Sequence, residues 1–150
     1  MHAKITWIVV ADGQRATVYN NDGPGKGLEI IPGMGGHRDG PRTHEMMSDK
    51  PGRDRGFAGA SGAAAMTART DPHELEEQRF TEALAEEVNR AALERKFARL
   101  ILAAPPRTLG ILRKSLSPHA KERVIAELDK DLTKASRDDL AAHVQRHIEV

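Results

Sequence analysis

Between Pro32 and Pro72 the chain carries no sustained hydrophobic period, and this gap constrains the fold more than any other feature. Gly33, Gly35, Gly36, Gly40, Gly52, Gly56, Gly59 and Gly62 place eight of the 13 glycines inside it. Only Ala63-Ala64-Ala65-Met66 could form a helical turn there. Loops much beyond about 15 residues are uncommon in compact domains and tend to be functional or disordered. The core must therefore be assembled from the blocks on either side. At 150 residues the chain suits one domain, residues 1–150, with 33–70 expected as a long, mobile, glycine-rich loop within it.

The N-terminal block reads as three strands. Ile5-Thr6-Trp7-Ile8-Val9-Val10 is β-branched and apolar on both faces, which predicts a buried strand. Asp12-Gly13 supplies turn chemistry, and Arg15-Ala16-Thr17-Val18-Tyr19 follows as the second strand of a hairpin. Residues 20–27 form a turn, and Leu28-Glu29-Ile30-Ile31 is a short third strand closed by Pro32.

The C-terminal block opens with a marked helix start. Asp71 can act as N-cap, Pro72 occupies the first helical position, and Glu74 lies three residues after the cap. Phe80, Leu84, Val88 and Ala91 recur at helical spacing, while the acid-rich remainder reads as a solvated face. Arg95 and Lys96 give the helix end the charge its dipole prefers. Leu100-Ile101-Leu102-Ala103 is another buried strand, and Pro106 begins a helix whose face is Leu109, Leu112 and Leu116. Residues 123–128 read as a last strand, with a helix as the alternative, because Val124-Ile125 favours β structure. Ser136 caps a final helix with the stripe Leu140, Val144 and Ile148. The order β-β-β-loop-α-β-α-β-α implies an α/β fold: a single mixed β-sheet flanked by helices.

Composition removes several function classes. No cysteine is present, which excludes disulfides, thiolate nucleophiles and cysteine zinc sites. With 23 Lys and Arg against 22 Asp and Glu, the net charge of +1 gives no global attraction to nucleic acid or anionic lipid. No apolar run approaches the ~20 residues of a membrane span, and the first residues lack the pattern of a signal peptide. A cytoplasmic protein without membrane contact is expected.

Motifs for chemistry are incomplete. His143 and His147 stand four apart, but no third metal ligand is near in sequence. His44-Glu45 and His73-Glu74 begin like zinc-protease motifs, yet Ser48 and Glu77 occupy the place of the second histidine. His37, Asp39, His44 and Glu45 form a looser group within the loop. No metal and no cofactor are expected. Gly23-Pro24-Gly25-Lys26-Gly27 follows a strand as a phosphate loop would, but no helix follows it, so it reads as a turn. No serine sits in a nucleophile elbow; Gly59-Ala60-Ser61-Gly62 only comes near. Arg38, Arg42, Lys50, Arg53, Arg55 and Arg69 are set among the loop glycines, where long cations can follow an RNA phosphate chain. Asp39, Glu45, Asp49, Asp54 and Asp71 nearly balance them, and only Phe57 offers a ring for stacking.

Several segments carry a family resemblance. Asp71-Pro72-His73-Glu74 leads to Arg79-Phe80; Leu102-Ala103-Ala104-Pro105-Pro106-Arg107-Thr108-Leu109-Gly110 is followed by Leu112-Arg113. Glu127-Leu128-Asp129-Lys130-Asp131-Leu132-Thr133 comes last, and Val10-Ala11-Asp12-Gly13 with Arg15-Ala16 fits at the start. In this order they resemble the bacterial host-attachment protein family over nearly the whole chain. That family is similar in turn to the middle domain of archaeal and eukaryotic peptide-chain release factors. In the release factors the corresponding loop carries Gly-Gly-Gln, which promotes peptidyl-tRNA hydrolysis. Here Gly35-Gly36-His37 is the nearest match, so that activity is not implied. The family's loop also tends to show an Arg-His pair before its final helix, where this chain has Ala63-Ala64-Ala65.

The resemblance and the loop together imply a non-enzymatic, translation-associated protein that contacts RNA or the ribosome. Gly35, Gly36, His37, Arg38, Arg42, Arg53, Arg55 and Arg69 would make the contact, and host attachment would be affected indirectly. A hydrolase using His37, His44, His73 and Glu74 is the alternative, since histidine suits acid–base work near neutral pH. For His73 and Glu74 the competing reading is capping and packing. A protein-interaction module, for example a homo-oligomer, is a third.

Overall fold

The computed structural model describes residues 4–37 and 71–150. Its centre is β1, Thr6–Ala11, buried at every position. β1 pairs antiparallel with β2, Arg15–Asn21, on one side and parallel with β5, Arg99–Ala103, on the other. Both faces and both edges of β1 are thus covered, which explains why its sequence does not alternate. β5 continues in parallel to β6, Val124–Leu128, with an irregularity between Leu100 and Ile101. On the outer edge of β2 lie two short strands, β3, Glu29–Ile30, and β4, Gly36–His37. The sheet is mixed, with the order β3-β2-β1-β5-β6 and β4 also on β2.

Helices cover both faces. α1, Pro72–Leu93, lays Leu84, Ala85, Val88, Ala91 and Ala92 against Trp7, Val9, Val18 and Leu102. α2, Pro106–Ser115, and the short α3, Pro118–Lys121, complete this layer with Leu109, Leu112 and Ala120. On the opposite face α4, Arg137–Val144, packs Leu140 and Val144 on Ile8, Val10 and Ile101. A strand's alternate residues face opposite sides, so β1 feeds both cores: Trp7, Val9 and Ala11 one, Ile8 and Val10 the other. The α/β class, the single mixed sheet and the element order therefore match the sequence-based expectation.

Boundaries differ in three places, and one open choice is settled. The third strand is two residues long, because Leu28 turns inward to the α4 core instead of extending the ladder. Residues 123–128 resolve the strand-or-helix choice as β6. The last helix stops at Val144; Ile148 still reaches the core, but His147 lies beyond the helix, so His143 and His147 do not share a helical face. Finally Gly36–His37 pair with Arg15 and Ala16, so the start of the 33–70 segment runs along the sheet edge. Residues 38–70 lie outside the described residues.

α1 ends in an unusual way. Lys96 N–H donates to the Ala91 carbonyl and Arg95 N–H to the Ala92 carbonyl, each at 3.0 Å, the pair of bonds that closes a Schellman motif. The left-handed position of that motif normally holds glycine, but here Arg95 adopts φ +60. A side chain in this region costs about 1 kcal/mol or more. Replacing Arg95 with Gly should raise the thermal midpoint by roughly 2 °C, the relief being partly offset by the added freedom of the unfolded chain. Circular dichroism melts of the two proteins check it; a lowered midpoint would show that the arginine side chain stabilises more than its backbone costs.

Candidate functional site

The parallel strands end in register at one edge of the sheet: Val10 lies opposite Ala103, and Ala103 opposite Leu128. The residues that follow each strand emerge there side by side. In open α/β sheets, ligand sites form outside the carboxyl ends of the strands. Residues 10–13, 71–74, 105–107 and 129–133, parts of the segments that carried the family resemblance, lie at this edge.

Asp12 closes the β1–β2 hairpin. Its Oδ1 accepts the backbone N–H groups of Gln14 and Arg15, both at 2.9 Å. Gly13 follows with φ +92, and a side chain there would meet the Cγ of Glu77 on α1 at 3.3 Å. Glycine thus lets the turn nest against the first turns of the helix. The Asp12 Oδ2 atom stands 3.8 Å from Arg15 Nε and 3.3 Å from the Thr133 hydroxyl. That hydroxyl also lies 2.6 Å from Asp131 Oδ1, and having one hydrogen it donates to this nearer carboxylate. Thr133 N–H donates to the same oxygen at 3.0 Å. The Thr133 hydroxyl is the main cause that holds the Asp131 carboxyl below its usual range; burial opposes it, and the Thr133 backbone N–H, Lys134 and Arg15 assist. The Arg15 Nε is buried and has no hydrogen-bond partner among the described residues.

The start of α1 adds the other half of the cluster. Asp71 caps the helix by accepting the His73 N–H at 3.0 Å, and Pro72 occupies the first turn, as the sequence suggested. Glu74 does not reach back to the cap; it pairs with Arg107 Nη1 at 3.1 Å, joining α1 to the start of α2. The hydrogen bond that Arg107 donates to Glu74 is the main cause that pushes its guanidinium further up. Acids outnumber bases here: Asp12, Glu74, Glu77 and Asp131 face Arg15 and Arg107.

The residues proposed from sequence fall into three groups. Gly35 and Gly36 line the edge of β2 with φ +75 and +124. A side chain on Gly35 would lie 2.7 Å from the Ala16 carbonyl oxygen, and the Gly35 N–H donates to Glu87 at 3.1 Å. These glycines let the chain hug the sheet, a structural role the sequence did not reveal. His37 pairs through its backbone with Arg15, at the same carboxyl edge. His73 is exposed at the helix start, and Glu74 is engaged with Arg107. Arg38, Arg42, His44, Arg53, Arg55 and Arg69 lie outside the described residues. Among the described residues no three His, Asp or Glu side chains come together as a metal site. Sequence reasoning did not assemble Asp12, Arg15, Arg107 and Thr133 into one cluster. The available signal was that each follows directly on a strand, or on the turn after one.

Comparison with known proteins places this geometry. The model of the family described as "Protein required for attachment to host cells" matches residues 7–144. No curated protein matches the chain. Among solved structures, an archaeal translation termination factor is similar at 13% identity and a TM-score of 0.47. The match covers 87% of this chain and 33% of the factor, so the chain spans about a third of that protein's length.

The Asp131–Thr133 bond makes a pH prediction. Because the folded pKa is lowered, its stabilisation is present above the unfolded value near 4 and is lost as pH falls through the folded value. Thr133→Val should therefore be less stable than the parent at neutral pH, with the difference narrowing below about pH 4. Urea melts from neutral to acid pH measure it; a difference independent of pH would assign the effect to packing.

Proposed function

We propose that this chain, which belongs to the family of proteins required for attachment to host cells, is a cytoplasmic, non-enzymatic protein that contacts RNA, including that of the ribosome, through residues 33–70. Its effect on attachment would follow indirectly from that contact. One observation carries the reading: the segment richest in glycine and arginine leaves and rejoins the body at the carboxyl edge. At its start, β4 pairs with Arg15 and Ala16, and Gly35 is tied to Glu87 on α1. At its end, Asp71 caps α1, whose Glu74 and Glu77 meet Arg107 and Gly13.

Between these anchors the sequence supplies Arg38, Arg42, Lys50, Arg53, Arg55 and Arg69 on a backbone with few bulky side chains. Guanidinium groups bind phosphate oxygens as planar forks, and glycine lets the backbone adapt to the path of the phosphates. Fixed ends lower the ordering cost of binding relative to a free tail. The hydrolase alternative gains nothing from the helix start, where Asp71 and Glu74 already have structural partners and His73 is exposed.

Co-sedimentation of the tagged protein with ribosomes tests the proposal. Association should weaken as salt rises, by about a thousand-fold in affinity between roughly 50 and 200 mM if all six cations meet phosphates. It should vanish when residues 38–70 are replaced by a short Gly-Ser linker in a protein whose circular dichroism shows the body intact. Converting Arg38, Arg42, Arg53 and Arg55 to Gln should lower the salt slope by about 3. Undiminished binding without the segment would overturn the assignment.

A further inference from the structure

The opposite edge of the sheet has a different electrostatic character. Residues that precede β1, β5 and β6 meet there around a cavity of about 390 Å3 lined by Ile5, Arg95, Phe97, Ala98, His119 and Arg123. Three of these six can carry positive charge, and none is acidic. Arg123 is held in place: its Nη1 donates to the His119 carbonyl at 2.8 Å, and its own carbonyl accepts the Leu100 N–H at 2.8 Å. The floor is apolar, with the Phe97 ring packed on Trp7 at 5.0 Å between centroids. Glu94, the carboxylate beside Arg95 in sequence, is paired with Lys96 at 3.2 Å.

Arg95 is the informative residue. Complementing the helix dipole does not require a cation at this position, because Arg90 and Lys96 already stand at the same end. Glycine would satisfy the backbone better. Strained residues of this kind gather at ligand sites, where the side chain is needed despite its conformation.

We propose that this cavity binds the phosphate of a nucleotide, with Arg95 and Arg123 gripping the phosphate oxygens and the apolar floor receiving the remainder of the ligand. Two arginines in a lining that holds no carboxylate match a phosphate, which each guanidinium can meet through two hydrogen bonds. The cavity is several times larger than an inorganic phosphate, and its volume lies in the range of small-molecule sites. The ligand chemistry, a phosphate on a nucleoside, could come from a free mononucleotide or from the 5′ end of an RNA. The proposal does not depend on the function proposed for residues 33–70, of which Gly33 and Met34 line a separate cavity with Arg90, Glu94 and Lys96.

Calorimetric titration of the full chain with adenosine 5′-monophosphate, adenosine, and a short 5′-phosphorylated RNA tests this. The monophosphate should bind saturably and adenosine at least about tenfold more weakly, as expected for the loss of charge-assisted hydrogen bonds. Arg95→Gly and Arg123→Gln should each weaken monophosphate binding by about tenfold or more. Since Arg95→Gly is expected to melt no lower than the parent, its loss of binding cannot be ascribed to unfolding. RNA that binds more tightly than the monophosphate, with the same dependence on Arg95, identifies an RNA end as the source; equal affinity identifies the free nucleotide. Equal binding of monophosphate and adenosine, or undiminished binding by Arg95→Gly, overturns the proposal. So does loss of monophosphate binding when residues 38–70 are replaced, which would move the phosphate to that segment.

Discussion

The described residues are arranged around the pairing of β1 with β5. Thr6 lies opposite Arg99 and Val10 opposite Ala103, so the ladder joins two blocks of sequence that residues 38–70 separate. Joining blocks so far apart in sequence is less costly than the separation suggests, because the closure entropy grows only with the logarithm of the number of residues. The return comes from burial. Ile8, Val9, Val10, Ile101 and Leu102 are fully or almost fully removed from water, and each fully buried side chain of this size contributes about 1.5–3 kcal/mol. A continuous apolar strand at the centre obliges the chain to cover both its faces. α1 with α2 does so on one side and α4 on the other, and a long insertion costs little if it leaves and rejoins at the same edge.

That edge follows from the parallel direction of β1, β5 and β6. Parallel strands gather everything that follows them at one end and everything that precedes them at the other. Asp12 and Thr133 therefore meet although they are distant in sequence, and Glu77 enters because glycine at position 13 allows the helix to approach. The cluster is rich in acids and partly satisfied within itself, through Glu74 with Arg107 and Asp131 with Thr133. Such an arrangement ties the hairpin turn, two helix starts and the end of β6 to one another.

Much of this was legible in the sequence, and the misses share a cause. The buried strands were visible because two-sided burial leaves an unbroken β-branched or aliphatic run, and the start of α1 was visible because Asp71-Pro72 states a cap in two residues. The end of α1 was not, because the stop signal is normally glycine and this helix stops on Arg95. The end of α4 was hidden for the converse reason: Ile148 keeps the helical spacing and stays buried although the helix has already ended at Val144. β4 could not be seen in Gly35-Gly36-His37, whose residues are poor strand formers, because its pairing depends on β2. The candidate site was readable only piecemeal. Its residues are named by their position after strands, and the sheet order that unites them is a tertiary property.

The net charge of +1 conceals a separation by position. At the carboxyl edge acids outnumber bases, while the cavity at the amino edge is lined by Arg95, His119 and Arg123 with no acid among them. A neighbouring cavity adds Arg99, Arg146 and His147, opposed by Glu149. Total charge governs solubility and long-range attraction, but local charge in a concave, partly apolar setting decides what is bound, because screening there is weaker than on an open surface. A chain without global attraction to anions can thus still hold one where the fold collects cations. The sheet does so for a reason unrelated to binding: a helix that ends beside the amino edge brings basic residues to complement its dipole. Arg90 and Lys96 meet that need, and Arg95, kept in a conformation suited to glycine, exceeds it.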